Sequence, residues 1–103
     1  MSKYVLTYHG GAGMPETETE INDMMAAWGA WFGEMGEALV DGGNPFGQAR
    51  SIAGDGSVSD DGQGLTGFSV IAARDIDSAV AIAKGCPILA GGGTVAVNEA
   101  LDM

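Results

Sequence analysis

Apolar and polar positions alternate from Lys3 to His9, with Tyr4, Leu6 and Tyr8 on one face and Val5, Thr7 and His9 on the other. β-Branched and aromatic residues at a period of two predict a strand, and apolar groups on both faces predict cover on both sides. Gly10-Gly11-Ala12-Gly13-Met14-Pro15 breaks the pattern and reads as a loop. From Thr17 the period changes. Ile21, Met24, Met25, Trp28, Phe32, Met35 and Leu39 recur every three or four residues, the apolar face of a long helix. Thr17-Glu18-Thr19-Glu20 has the form of a capping box, with Glu20 reaching back to the N–H of Thr17. The expected stop lies near Asp41-Gly42-Gly43.

Gln48–Ala53 and Ser57–Ser59, separated by Gly54-Asp55-Gly56, predict a short hairpin, and 60–65 is a polar, Gly-rich loop. Thr66–Arg74 is the strongest strand, with Phe68, Val70 and Ala72 opposite Ile71 and Ala73. Asp75 caps a second helix with an apolar stripe of Ile76, Ala79, Val80 and Ala83. Gly85 and Pro87 end that helix, with Gly85 taking the left-handed position. Gly91–Gly93 is a turn, and Thr94–Asn98 is the last strand. The order strand–helix–strand–strand–helix–strand predicts an α+β fold, a ferredoxin-like βαββαβ sandwich in one domain spanning 1–103. Its open sheet face calls for cover, which a homodimer supplies sheet to sheet.

Composition narrows the partners. The chain has 103 residues, 14 acidic side chains against 4 Lys+Arg, and a net charge of −10. Lys3, Arg50, Arg74 and Lys84 are too scattered to bind a phosphate backbone, which excludes nucleic acid and anionic membrane. No apolar run reaches the ~20 residues of a membrane helix. Met1-Ser2-Lys3 leads directly into a strand, so no signal peptide is read and a soluble, cytoplasmic protein is expected. One cysteine, Cys86, provides neither an internal disulfide nor a multi-cysteine zinc site. The acidic residues cluster at helix starts and loops, where they serve capping and solubility.

The candidate chemistry is sparse, and each signal has a plain structural counterpart. The Gly10–Gly13 cluster precedes a helix, but no phosphate-loop motif occurs and Glu16, Glu18 and Glu20 repel an anion there. Asp55–Gly62 resembles a calcium loop without its Gly and Glu, so a hairpin explains it better, leaving weak cation binding at Asp60 and Asp61. No cofactor motif and no adequate metal-ligand set is present. Gly29, Gly33 and Gly36 share a stripe that packs tightly on the sheet or receives a partner helix or ligand. His9 is the only imidazole and the sole candidate acid–base group, or else a strand-end histidine bonded to backbone. Tyr8, Trp28, Trp31 and Asp61 are candidate ligand-binding residues. Trp28 fits the core stripe, whereas Trp31 lies off it and can edge a pocket.

Lys3-Tyr4-Val5-Leu6, Gly67-Phe68-Ser69-Val70-Ile71 and Asp75-Ile76-Asp77-Ser78-Ala79-Val80 followed by Lys84-Gly85-Cys86-Pro87 resemble the YCII-related family, which includes proteins named for a DGPF motif. Gly43-Asn44-Pro45 after the long helix fits as well. The resemblance implies a ferredoxin-like fold dimerising into an α+β barrel, and a cleft in which some members hold a His–Asp pair. Here the first helix reads Met24-Met25-Ala26-Ala27-Trp28 without histidine, and the DGPF segment becomes Asp61-Gly62-Gln63-Gly64. Three readings follow. The chain is a homodimer binding a small organic molecule beside the long helix, with acid–base chemistry by His9. Alternatively it is a non-catalytic dimerisation or ligand-sensing module, or a structural subunit with a vestigial pocket.

Overall fold

A computed structural model describes residues 1–10 and 16–102, so most of the loop expected at 10–15 lies outside the described residues. The elements are β1 (Ser2–His9), α1 (Glu18–Met35), β2 (Leu39–Asp41), β3 (Ser51–Ile52), β4 (Val58–Ser59), β5 (Leu65–Ala73), α2 (Ile76–Ala83) and β6 (Thr94–Ala100). Strands β2-β5-β1-β6 form one antiparallel sheet, and β3 and β4 form a separate two-stranded one. The fold is therefore α+β.

Alternation along the strands decides which residues enter the core. Tyr4, Leu6 and Tyr8 of β1 and Ser69, Ile71 and Ala73 of β5 are buried on one face. Trp31 of α1, Ala79 and Ala83 of α2, and Cys86 close over them. The small side chains of Ala79 and Ala83 let α2 lie against β1, β5 and β6. Its stripe is rotated from the expected one: Ile82 packs on the core while Ile76 and Val80 stay exposed.

The long helix departs further from expectation. It stops at Met35, because Gly36 takes a positive φ of 56°, and a 3-10 turn (Gly36–Ala38) leads into β2. Leu39 thus belongs to a strand, paired with Ile71, and that strand replaces the hairpin as the second strand of the main sheet. Thr17 caps the helix by accepting from the Glu20 N–H at 3.1 Å, but Glu20 returns its carboxylate to the N–H of Glu16, one residue earlier than expected. Only Trp28, Phe32 and Met35 join Trp31 against the body, whereas Ile21, Met24 and Met25 remain exposed. Periodicity marks which face is apolar, and the length of the sheet beneath decides how much of it is covered. A Cβ at Gly29 or Gly33 would meet open space, so that stripe does not pack on the sheet.

Gly85 does not take the left-handed conformation. Its reason is contact: a Cβ there would lie 3.1 Å from Cδ1 and 3.2 Å from Nε1 of Trp31. The hairpin forms as expected, pairing Ser51 with Ser59 and Ile52 with Val58. Asp55 stabilises its turn by accepting from both the N–H (2.9 Å) and the hydroxyl (2.7 Å) of Ser57, which holds its carboxyl below the usual range.

Candidate functional site

The residues singled out in sequence fall into separate places. Tyr8, Trp28, Trp31 and Phe32 meet on the helix side of the sheet. Tyr8 and Trp28 rings lie 5.2 Å apart edge to face, Trp28 and Trp31 5.6 Å apart, and Trp31 stacks on Phe32 at 5.5 Å. These are the separations at which aromatic rings attract. The rings occupy one another's space, so the cluster is a packing unit. Trp31 is the buried indole, only 4% exposed, and donates to the Ile82 carbonyl at 3.1 Å. Trp28 is half-buried. The expected roles are exchanged, because a helix lying partly beyond the sheet turns the off-stripe tryptophan toward α2 and Gly85.

Behind this cluster runs a buried polar relay. The Tyr8 hydroxyl donates to Ser69 Oγ at 2.6 Å, and Ser69 donates to the Gly42 carbonyl at 2.7 Å. Ser69 is wholly buried, so this chain of donors is what makes a hydroxyl tolerable there. Burial pushes the Tyr8 phenol up to about 12, against a smaller lowering by the Ser69 hydrogen bond. The phenol ionises more readily in the unfolded chain, whose value is 10.0. Tyr8 therefore contributes stability that is complete below pH 10 and lost as pH rises toward 12. Melting temperatures measured from pH 9 to 12 should fall more steeply for the wild type than for Tyr8→Phe, and parallel curves would refute this.

His9 lies on the opposite face of the sheet, half-buried beside Thr7, whose Oγ1 is 3.3 Å from its Nε2. Among the described residues no carboxylate lies within ion-pair distance of it. His9 and the Tyr8–Trp28 pair thus share no cleft. Asp61 is distant in role as well: its carboxylate accepts from the Gln63 N–H at 2.7 Å, and its carbonyl accepts from the Ser51 hydroxyl. Asp60 pairs with Arg50 at 3.3 Å on the surface. No group of three His, Cys, Asp or Glu that could hold a metal occurs among the described residues. The Cys86 thiol is buried and free, and burial raises its pKa, which disfavours the nucleophilic thiolate.

The described residues also form open hollows, of which two stand out. One, about 430 Å³, lies between the turn after α1 and the start of α2, lined by Glu37, Ala38, Ala73, Arg74, Ser78 and Ile82. The other, about 480 Å³, lies beside the hairpin at Phe46, Arg50, Ile52, Gln63 and Leu65. Neither contains a residue chosen from sequence. The only sequence signal for the first was Arg74, one of four cations, standing directly before a capping Asp.

No protein-family model and no curated protein matches the chain. No helix among the described residues is long and apolar enough to cross a membrane.

Proposed function

We propose that the chain is a homodimerising module related to the YCII family, non-catalytic at His9, which binds a small organic molecule in the cleft between α2 and the end of the long helix. The sheet order supports the ferredoxin-like βαββαβ reading, with α1 joining β1 to β2 and α2 joining β5 to β6.

One observation carries the dimer: the sheet face opposite the helices is apolar and uncovered among the described residues. Register places Val5 beside Val70 and Asn98, and Thr7 beside Phe68 and Ala96, all on that face. Phe46 extends it, its ring 5.8 Å from that of Phe68. The molecule is only 19 Å thick, the depth of one helix layer on one sheet. Charge favours a second copy. Despite the net charge of −10, strands β1, β5 and β6 put no carboxylate on this face, since Glu99 pairs with Tyr4 on the other, and the one carboxylate in register with it is Asp41 of the edge strand β2, beside Val70. Four strands spaced about 4.8 Å, with about 3.3 Å per residue along β1, give a flat footprint of roughly 500 Å². Side-chain relief and Phe46 raise this toward the about 800 Å² per partner of a standard interface.

In that dimer His9 belongs to the subunit interface, which fits its separation from both the aromatic cluster and the cleft. Analytical ultracentrifugation tests the reading. The wild type should sediment as a dimer. Val70→Asp should sediment as a monomer with unchanged circular dichroism, because a two-fold interface would bury two unpaired carboxylates. A monomeric wild type overturns the proposal, as does a dimer indifferent to Val70→Asp.

A further inference from the structure

The cleft between α1's end and α2 has a composition that selects its ligand. Its volume of about 430 Å³ is in the range of small-molecule sites. Ala38, Ala73 and Ile82 make an apolar wall in which the two alanines leave room. Into it come two opposite charges, Glu37 from the turn after α1 and Arg74 from the end of β5, with Ser78 also on the wall. Arg74 is largely exposed, and its ion-pair contact with Asp75 is loose, at 3.9 Å. The other Asp75 carboxylate oxygen is held by the Ser78 N–H at 2.8 Å, capping α2. The guanidinium is thus available to a better acceptor.

We infer that this cleft binds a small zwitterion with an apolar body, an amino acid in chemical class. Its carboxylate sits on Arg74, its ammonium faces Glu37, and its carbon skeleton covers Ala38, Ala73 and Ile82. The overall field argues the same way. A net charge of −10 repels a free anion and attracts cations without selecting among them. A zwitterion carries no net charge, so it responds chiefly to the local pair of opposite charges. Arg74 stands against two carboxylates, Asp75 and Glu37, so the cleft has no surplus positive charge, which disfavours phosphates and dicarboxylates.

The inference rests on the cleft being the ligand site, and the test separates the two claims. The intact chain is titrated in heteronuclear NMR with L-leucine and 6-aminohexanoate, whose charges lie close together and far apart, and with hexanoate and hexylamine, which carry one charge each. At least one zwitterion should shift the amides of Ala38, Ala73, Ser78 and Ile82 saturably, with the single-charge probes about tenfold weaker. Arg74→Ala, a surface change, should weaken the zwitterion about tenfold without weakening hexylamine, which gains from the loss of a like charge. A single-charge probe binding as tightly as the zwitterions overturns the ligand class but keeps the cleft as a ligand site. Silence of these amides toward all four probes overturns both. The sedimentation of the same sample reports the dimer independently.

Discussion

Gly43→Ala should be among the most damaging single substitutions in the chain. Gly43 has φ of 74°, and a Cβ added there would lie 1.7 Å from the Phe68 carbonyl oxygen and 2.6 Å from its carbon. Both are backbone atoms of β5, so no rotamer change relieves the clash. The strand edge would have to separate where β5 is tied to this segment: the Phe68 N–H donates to Asn44 at 3.4 Å, and Ser69 donates to Gly42 at 2.7 Å. The second bond ends the relay from Tyr8, so its loss strands a buried hydroxyl. Positive φ adds strain of its own for an alanine. Together these should cost roughly 3–5 kcal/mol, a large share of the 5–15 kcal/mol typical of a domain. Urea unfolding measures it, with Gly47→Ala as a control because a Cβ at Gly47 meets nothing. A Gly43→Ala variant as stable as that control would refute the close approach of Gly43 to β5.

The same segment shows how much the sequence revealed. Period-two alternation identified β1 and β5 and grouped Tyr4, Leu6 and Tyr8 on one face of the first and Ile71 and Ala73 on one face of the second, the two faces that the structure buries together. Capping chemistry placed the starts of both helices. These are local signals, set by side chains acting on their own backbone. What failed was tertiary. Leu39 fits a helical period, yet it is a strand residue, because Gly36 breaks the helix and Ile71 supplies a pairing partner. Gly85 looked like a left-handed stop and is instead a gap for an indole from an element more than fifty residues earlier.

The candidate site was less legible for the same reason. The alternation of β1 already put Tyr8 and His9 on opposite faces, but it could not tell which face the helices cover: Tyr8 lies beneath them and His9 on the other side. The cleft residues Glu37, Ala38, Arg74 and Ser78 carry no motif, and topology alone brings them together. A four-stranded order that puts β5 beside both β1 and β2 places the end of β5 next to the turn that follows α1. Nothing in local composition announces such an encounter.

Trp31→Ala should rank with Gly43→Ala in effect. The Trp31 indole is 4% exposed, stacks on Phe32, meets Trp28 edge-on at 5.6 Å and donates to the Ile82 carbonyl at 3.1 Å. Removing it opens a cavity between α1 and the segment at Gly85, where the neighbouring backbone offers no side chain to fill the space. Truncation of a buried tryptophan costs about 3–5 kcal/mol. The loss should be greater than for Trp28→Ala, since Trp28 keeps one side in solvent. Trp31→Phe should fall between: it keeps an aromatic ring and gives up one hydrogen bond to the Ile82 carbonyl, which still accepts from the Gly85 N–H at 3.1 Å, at a cost of about 0.5–1.5 kcal/mol beyond the lost packing. Chemical denaturation of the three variants therefore tests a ranking, Trp31→Ala worst. If Trp28→Ala proved the more destabilising, the helix would have to be rotated so that its apolar stripe centred on Trp28 faces the sheet. The exposed Ile21, Met24 and Met25 would then be drawn inward with it. The ranking of two tryptophans three residues apart thus fixes the rotation of the long helix, and with it the contact that the Trp31 indole makes at Gly85, just beyond α2.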